Sequence, residues 1–421
     1  MGTLSVFLDV PLVKKADIPL DYYGEDPHPQ KVLLGHAGCQ TDAGEAWIPP
    51  VVQRILLQIS QDPTLNHEYL PELGIYEYTR AATELAIGKE SRALLENRAG
   101  GVHTIGGTGA LWIGAEFLCR WYKPRFSTPT ALYIAKPQLD SLGCIFQVAG
   151  FTDIRPYHYW KPVSLTLKTL WGHHKLANAP TGSIVFLHAP EEIGLKPKEW
   201  EAVAATMEKK QLFPFFNIES QGLASGNLDR DAWALQHFVG QGFELLCAQS
   251  FSRTFGLYDE LAGNLIVVTK NNETLIRIQS QLGRQICTTW WCPSSLGARV
   301  IGTVLNSPAL LYEWKLSLRM VVERIMLIRE KLKEKLRILG TPGSWEHLTA
   351  QSGMCSFIGL QSSQVEFLAK HKHIYLFENQ QINICSINSK NLDYVAQSIH
   401  EAVLATSLGD YNLDLEGVDR S

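Results

Sequence analysis

The run Thr104-Ile-Gly-Gly-Thr-Gly-Ala110 is the first place where residue types and spacing suit chemistry. Glycines let backbone N–H groups approach an anion closely, and a helix opening there adds about half a positive charge. Residues 110–121 read as that helix, so the pattern suits a phosphate; it equally suits a plain turn before a helix. Other candidates are thinner. His173 and His174 follow Trp171-Gly172, and His371 and His373 flank Lys372. Metal ligands on one helix stand at i and i+4, while adjacent side chains point apart, so these read as exposed loop histidines and no metal is expected. The eight cysteines (Cys39, Cys119, Cys144, Cys247, Cys287, Cys292, Cys355, Cys385) contain no CxxC pair. They read as buried thiols of a reducing compartment.

The elements that would position such residues follow from periodicity. Five short apolar runs fit strands buried on both faces: Ala131 to Ile134, Ser183 to His188, Leu212 to Phe216, Glu244 to Gln249 and Asn264 to Val268. Helix-compatible stretches at 198–210 and 231–239 lie between them. This rhythm predicts an α/β fold with a mostly parallel sheet flanked by helices. Leu318, Val321, Ile325, Ile328, Leu332, Leu336 and Leu339 recur at spacings of three and four until Gly340 and Pro342. That predicts an amphipathic helix of roughly twenty residues, about 30 Å long, able to carry the chain between domains. Residues 343–406 read as small and mixed α/β. There is no internal repeat, and 409–421, with scattered acids and no periodicity, is expected to stay disordered.

A chain of 421 residues holds two to three domain-sized units. Its net charge of −4 excludes a general nucleic-acid binder, which needs a basic face for phosphates. No stretch reaches the roughly eighteen uninterrupted apolar residues of a membrane span. The first residues lack a signal-type apolar core and an Arg-rich transit pattern, and Val6 stands where a myristoylation motif wants Ser or Thr. A cytosolic protein is the expectation.

Longer strings are more specific. They are Leu65-Asn-His-Glu-Tyr-Leu-Pro71, Gly106-Gly-Thr-Gly-Ala110, Leu212-Phe-Pro-Phe-Phe216 with Gln221-Gly222, Ala224-Ser-Gly-Asn-Leu228, and Arg230-Asp-Ala-Trp233. Ala248-Gln-Ser-Phe-Ser252 with Phe255-Gly-Leu-Tyr258, and Lys390-Asn-Leu-Asp-Tyr-Val-Ala396, complete the set. From about Ser5 to about Ala405 the chain resembles the fold-type I pyridoxal-phosphate enzymes, and closely the aspartate aminotransferases of the cytosolic branch. The resemblance implies a large cofactor domain on a mostly parallel, seven-stranded sheet, a smaller α/β domain, and a homodimer clasped by an N-terminal arm. On this chain the arm is 1–14, the small domain 15–47 with 326–406, the large domain 48–325, and the C-terminal tail 407–421.

The same resemblance assigns the site, position by position. The lysine that forms a Schiff base with pyridoxal phosphate should follow Ser252; here it is Arg253. A guanidinium keeps its proton at working pH and is no amine nucleophile, so covalent cofactor binding and the lysine's proton shuttle are expected to be absent. The aspartate that keeps the pyridine nitrogen protonated is Asn217, which brings no charge. A tyrosine on the ring oxygen is Ser220, the stacking tryptophan is Leu139, and the phosphate arginine is Leu261. The family's Asn-Pro-Thr-Gly loop aligns with Glu191-Glu-Ile-Gly194. Two arginines that clamp a dicarboxylate are Cys287 and Gln381, a loss of about 10² to 10⁴ in affinity at roughly 1.5–3 kcal/mol each.

Part of a phosphate cup persists in Gly107, Thr108, Ser250, Ser252 and Tyr69, kept either for phosphate or because turn and core require them. Lys136 is a conceivable displaced Schiff base or an ordinary surface lysine. Cys39 lies in the loop through which substrate enters and reads as a small buried thiol. Trp290 and Trp291, beside Cys287, are expected to fill space once used by substrate. L-Aspartate and 2-oxoglutarate transamination is what the resemblance implies, and the residues argue that it is lost, leaving a pseudoenzyme or regulatory dimer. The alternatives are a pyridoxal-phosphate transferase or racemase using another lysine, and a sensor of a phosphorylated ligand. The expected partner is a second copy, or an active aminotransferase in a heterodimer. Neither nucleic acid nor membrane is expected.

Overall fold

The computed structural model describes residues 7–11, 19–123, 130–157, 176, 178–189, 196–377 and 380–415. His173, His174 and Glu191 to Gly194 lie outside them. A short strand β1 (Val32–Leu33) precedes the seven of the central sheet: β2 (Ala99–Ile105), β3 (Leu132–Ala135), β4 (Ile154–Tyr157), β5 (Ile184–His188), β6 (Phe213–Ile218), β7 (Leu245–Ser250) and β8 (Ala262–Val268). Their order is β2-β8-β7-β6-β5-β3-β4, parallel except for β8, which runs antiparallel to both neighbours. All five expected strands are present within two residues. The two missed ones, β2 and β4, carry glycines or a proline that weaken the strand pattern. In β2 the glycine serves contact: a Cβ on Gly101 would stand 2.4 Å from Asn264 Oδ1 and 2.6 Å from Thr83 Oγ1.

Alternation along the strands builds a core on each face. Ile184, Phe186, Phe215, Leu246 and Leu265 face helices Gly106–Trp121 and Asn272–Thr289 through Leu111, Ile113 and Ile286. Val185, Leu187, Phe216, Cys247 and Ile266 face helices Pro197–Lys210 and Leu228–Gly240 through Trp200, Met207 and Phe238. Both faces are covered, so each strand reads as one apolar run.

The long helix spans Pro308–Ile338, 31 residues, about 46 Å. It starts ten residues before the leucine repeat, because Pro308 suits the first helical position and Trp314 anchors the added turns. Trp314 is fully buried, donates Nε1–H to the Thr254 carbonyl at 2.9 Å, and stacks on Phe255. Two small sheets lie apart from the large one. β1 pairs in parallel with β10 (Ile374–Tyr375), and β9 (Cys355–Phe357) pairs antiparallel with β11 (Gln381–Asn383).

Three expectations need correction. The tail expected from 407 is helical as far as Leu415, in a helix Leu392–Leu415 whose first turns are docked through Val395, Ile399 and Ala402; once nucleated, further turns are cheap. Only Cys39, Cys247, Cys355 and Cys385 are buried thiols, while Cys119 and Cys144 are exposed and Cys287 and Cys292 half-buried. His373 is no loop histidine: it caps helix Ser362–Lys372, bonds Asp26 Oδ2 through Nδ1 at 2.8 Å, and stacks on His28. His371 is exposed. Among the described residues, no helix is long and apolar enough to cross a membrane.

Candidate functional site

Strands β6 and β7 run parallel, so their carboxyl ends open on one side of the sheet. In open α/β sheets ligands bind in the crevice beyond such ends. Asn217, the penultimate residue of β6, is fully buried beside its register partner His188 at the end of β5. Its Nδ2 lies 3.1 Å from His188 Nδ1 and donates to Glu219 Oε1 at 2.9 Å. Arg253 enters from the opposite side, on the short helix Ser252–Phe255 that follows β7. Its Nη1 lies 3.3 Å from Glu219 Oε2 and donates to Ser220 Oγ at 3.4 Å.

Burial pushes the Glu219 carboxyl up. The Arg253 guanidinium, with His188 and the Asn217 amide, outweighs that and holds it below the usual carboxylate range. Glu219 is therefore an anion, and a cation–anion pair stands between the two strand ends. Sequence reading missed Glu219 and His188. The available signal was an acid two residues after Asn217, close to a position that had become a fixed cation.

The glycine run is the first turn of helix Gly106–Trp121 rather than a loop before it. Gly106 takes φ +62°, a left-handed conformation that glycine adopts without strain, and its N–H donates to the Leu261 carbonyl. A Cβ on Gly107 would stand 2.9 Å from Ser250 Cβ, so the missing side chain lets the helix N-terminus close on the end of β7. Thr108 is exposed; Ser250 and Ser252 are half-buried. Leu261 is itself left-handed, φ +47°, and 47 % exposed.

The remaining expected residues are more scattered. Leu139 and Lys136 lie on helix Lys136–Val148, the first half-buried and the second exposed at its start. Tyr69 is 82 % exposed, Cys287 lies near the end of helix Asn272–Thr289, and Gln381 is buried in β11. Trp290 packs on the glycine turn, its ring edge 3.5 Å from where a Cβ on Gly109 would stand. Trp291 is 60 % exposed on the single chain, with φ +71°. The string from Gln221 to Trp233 has a structural cause, since Asp231 Oδ2 accepts from the Gly222 and Ala224 N–H groups at 2.7 and 3.1 Å. Such strings persist whether or not chemistry does.

A covalently held pyridoxal phosphate needs an amine with a free lone pair where Arg253 stands. The guanidinium has none and is engaged by Glu219 and Ser220. Asn217 offers a buried Oδ1 without a partner among the described residues, an acceptor that carries no charge to hold a pyridinium. At Arg253 and Asn217 the residue types do not fit a covalently bound cofactor. Among the described residues there is no cluster fit for a metal ion.

Comparison with known proteins places these findings. The profile of the family "Aminotransferase class I and II" matches residues 29–399. Chicken (Gallus gallus) cytoplasmic aspartate aminotransferase is 47 % identical over 385 residues, 90 % of this chain and 93 % of that one. The aspartate aminotransferase from Saccharomyces cerevisiae cytoplasm superposes with a TM-score of 0.88 at 30 % identity, covering 94 % of this chain and 98 % of that one. An aromatic-amino-acid aminotransferase from Burkholderia pseudomallei, covalently bound to pyridoxal phosphate, gives 0.88 at 29 % identity over 95 % of this chain and 100 % of that one. Sequence and fold agree: the chain belongs to the class I and II aminotransferases, as an aspartate aminotransferase-like member with the fold-type I architecture.

Proposed function

We propose that this chain keeps the aminotransferase scaffold and has given up transamination, acting in the cytoplasm as a dimeric, non-catalytic subunit. The observation that carries this reading is the Arg253–Glu219 ion pair, joined by Ser220 and Asn217. It sets a charged, satisfied contact where the family needs a free amine. The substitutions at Leu139, Leu261, Cys287 and Gln381 support the same reading, because each removes a stacking surface or a cation from cofactor or substrate. The persistence of Gly107, Thr108, Ser250 and Ser252 is compatible with it, since Gly107 is required by the close approach to Ser250.

The test is direct. The full chain is incubated with pyridoxal phosphate, reduced with borohydride and mapped by mass spectrometry. No visible aldimine band and no stoichiometric pyridoxyl group on any lysine is the expected result. A single fully labelled residue, Lys136 above all, would overturn the reading in favour of a transferase or racemase with a displaced lysine.

Assembly as a dimer is supported by apolar surface that one chain leaves in water. Phe7, Leu8 and Val10 of the arm are 73, 65 and 66 % exposed. Burying such side chains is worth about 1.5–3 kcal/mol each at most. Removal of residues 1–12 is therefore expected to raise the dimer dissociation constant at least about tenfold in sedimentation equilibrium. Unchanged dissociation would show that the arm plays no part. Co-expression with an active aspartate aminotransferase, followed by pull-down, distinguishes the heterodimer: the site built on the partner's own lysine would receive Cys287 from this chain in place of a carboxylate-binding arginine.

A further inference from the structure

Two thiols face each other where the early and late parts of the chain meet. Cys39 Sγ lies 3.3 Å from Cys385 Sγ, across 346 residues of sequence, and the two residues are 0 % and 1 % exposed. Their meeting is enforced by the backbone. Asn383, at the end of β11, donates its Nδ2 to the His36 and Gly38 carbonyls at 2.6 and 2.7 Å. Its N–H reaches the Leu34 carbonyl at 2.7 Å, and its Oδ1 accepts the Cys385 N–H at 2.9 Å. Arg324 of the long helix completes the enclosure, bonding the Gln40 carbonyl and, at 3.4 Å, that of Cys385.

A disulfide needs about 2.05 Å between sulfurs, so a little over 1 Å of approach separates this pair from a bond. The sulfur–sulfur contact with Cys385 lowers the pKa of the Cys39 thiol, burial opposes this, and the nearby Arg324 guanidinium adds to the lowering. Cys385 is held up by the same contact. Of the two sulfurs, Cys39 is therefore the one that gives up its proton more readily.

We propose that Cys39 and Cys385 are a modification site, closing to an intramolecular disulfide when the protein meets a hydroperoxide. The Cys39 thiolate attacks one peroxide oxygen and the O–O bond breaks, giving a sulfenic acid on Cys39 and a hydroxide that leaves as water. Cys385 sulfur then attacks the Cys39 sulfur, and the hydroxyl departs with the Cys385 proton as a second water. Two thiols and one hydrogen peroxide give one disulfide and two waters. The bond ties the segment after β1 to the strand carrying Gln381. It also fixes Cys39, whose N–H donates to Tyr258 Oη at 2.7 Å, beside the stretch that presents Arg253. This inference does not depend on the loss of transamination.

The test uses the full chain, reduced, desalted and titrated with hydrogen peroxide, then alkylated in denaturant and mapped without reduction. The expected product is a Cys39–Cys385 linked peptide pair that dithiothreitol reverses, with the eight alkylatable thiols falling by two. Cys247, fully buried in β7 of the central sheet, serves as the internal control and stays alkylatable. In Cys385→Ser, dimedone is expected to trap a sulfenic acid on Cys39 that the unaltered protein does not accumulate. The proposal falls if Cys39 and Cys385 both remain alkylatable while exposed Cys119 and Cys144 oxidise, or if either links to another cysteine. The map of the unaltered protein decides this even where the variant fails to fold.

Discussion

Arg253→Lys alone is expected to regain next to no aspartate aminotransferase activity, although it restores the residue type that the family's chemistry demands. The reason is Glu219. The introduced ammonium would stand beside a carboxylate that now lies 3.3 Å from the Arg253 guanidinium. An opposite charge at that range makes the ammonium proton about 10 to 10³ times harder to remove, so little free amine is left to attack an aldehyde. Arg253→Lys with Glu219→Ala is the smallest change expected to give a borohydride-fixable aldimine. Adding Asn217→Asp, Leu261→Arg, Cys287→Arg and Gln381→Arg should then raise kcat/KM for aspartate by about 10² to 10⁴, since two charge-assisted clamps are worth roughly 1.5–3 kcal/mol each. These groups act as a unit, so most of the gain should come with the last changes rather than the first. Full family-like turnover from Arg253→Lys alone would show that neither Glu219 nor the other substitutions matter as argued.

Arg329→Leu is expected to be the most destabilising single change in the part of the chain after the central sheet. Arg329 is fully buried on the inner face of the long helix. Its Nη1 donates to the Leu348 carbonyl at 2.8 Å, and its Nη2 to those of Ser352, Gly353 and Cys355 at 3.3, 2.8 and 3.1 Å. One side chain thus satisfies the turn between helix His347–Ala350 and β9. Leucine fills some of the volume but removes the guanidinium donors from all four carbonyls, two of them in buried bonds. Stranding buried acceptors costs about 1–3 kcal/mol each, and allowing for relaxation the net loss should be about 4–5 kcal/mol. Urea unfolding of the two proteins under one set of conditions measures it. Arg329→Lys should recover only a part, because a single ammonium cannot span four carbonyls. A loss under about 1 kcal/mol would mean that water replaces the guanidinium and the turn is not organised by it.

Much of the fold was legible because its signal is local. A strand buried on both faces must be apolar throughout, and the Leu212 to Phe216 and Asn264 to Val268 runs announce themselves in any context. The leucine repeat on the long helix is legible for the same reason, since a 3.6-residue period in apolar residues has one stable use. The nature of the substitutions was legible too: that Arg253 cannot act as an amine follows from its side-chain chemistry alone. What the sequence could not supply is what those residues do instead. Glu219 becomes meaningful only when β6 and β7 lie side by side and bring it to the guanidinium. Arg329 sits on the buried face at a position where the period demands a leucine-like residue, and only the turn from 348 to 355 explains a buried cation there. Cys39 and Cys385 are 346 residues apart and meet because Asn383 binds both the chain just before Cys39 and the Cys385 N–H. Periodicity and composition act between residues close in sequence, where backbone geometry fixes the distance. Charge pairs, buried donors and facing thiols act between residues close in space, and their partners are chosen only when the chain has folded.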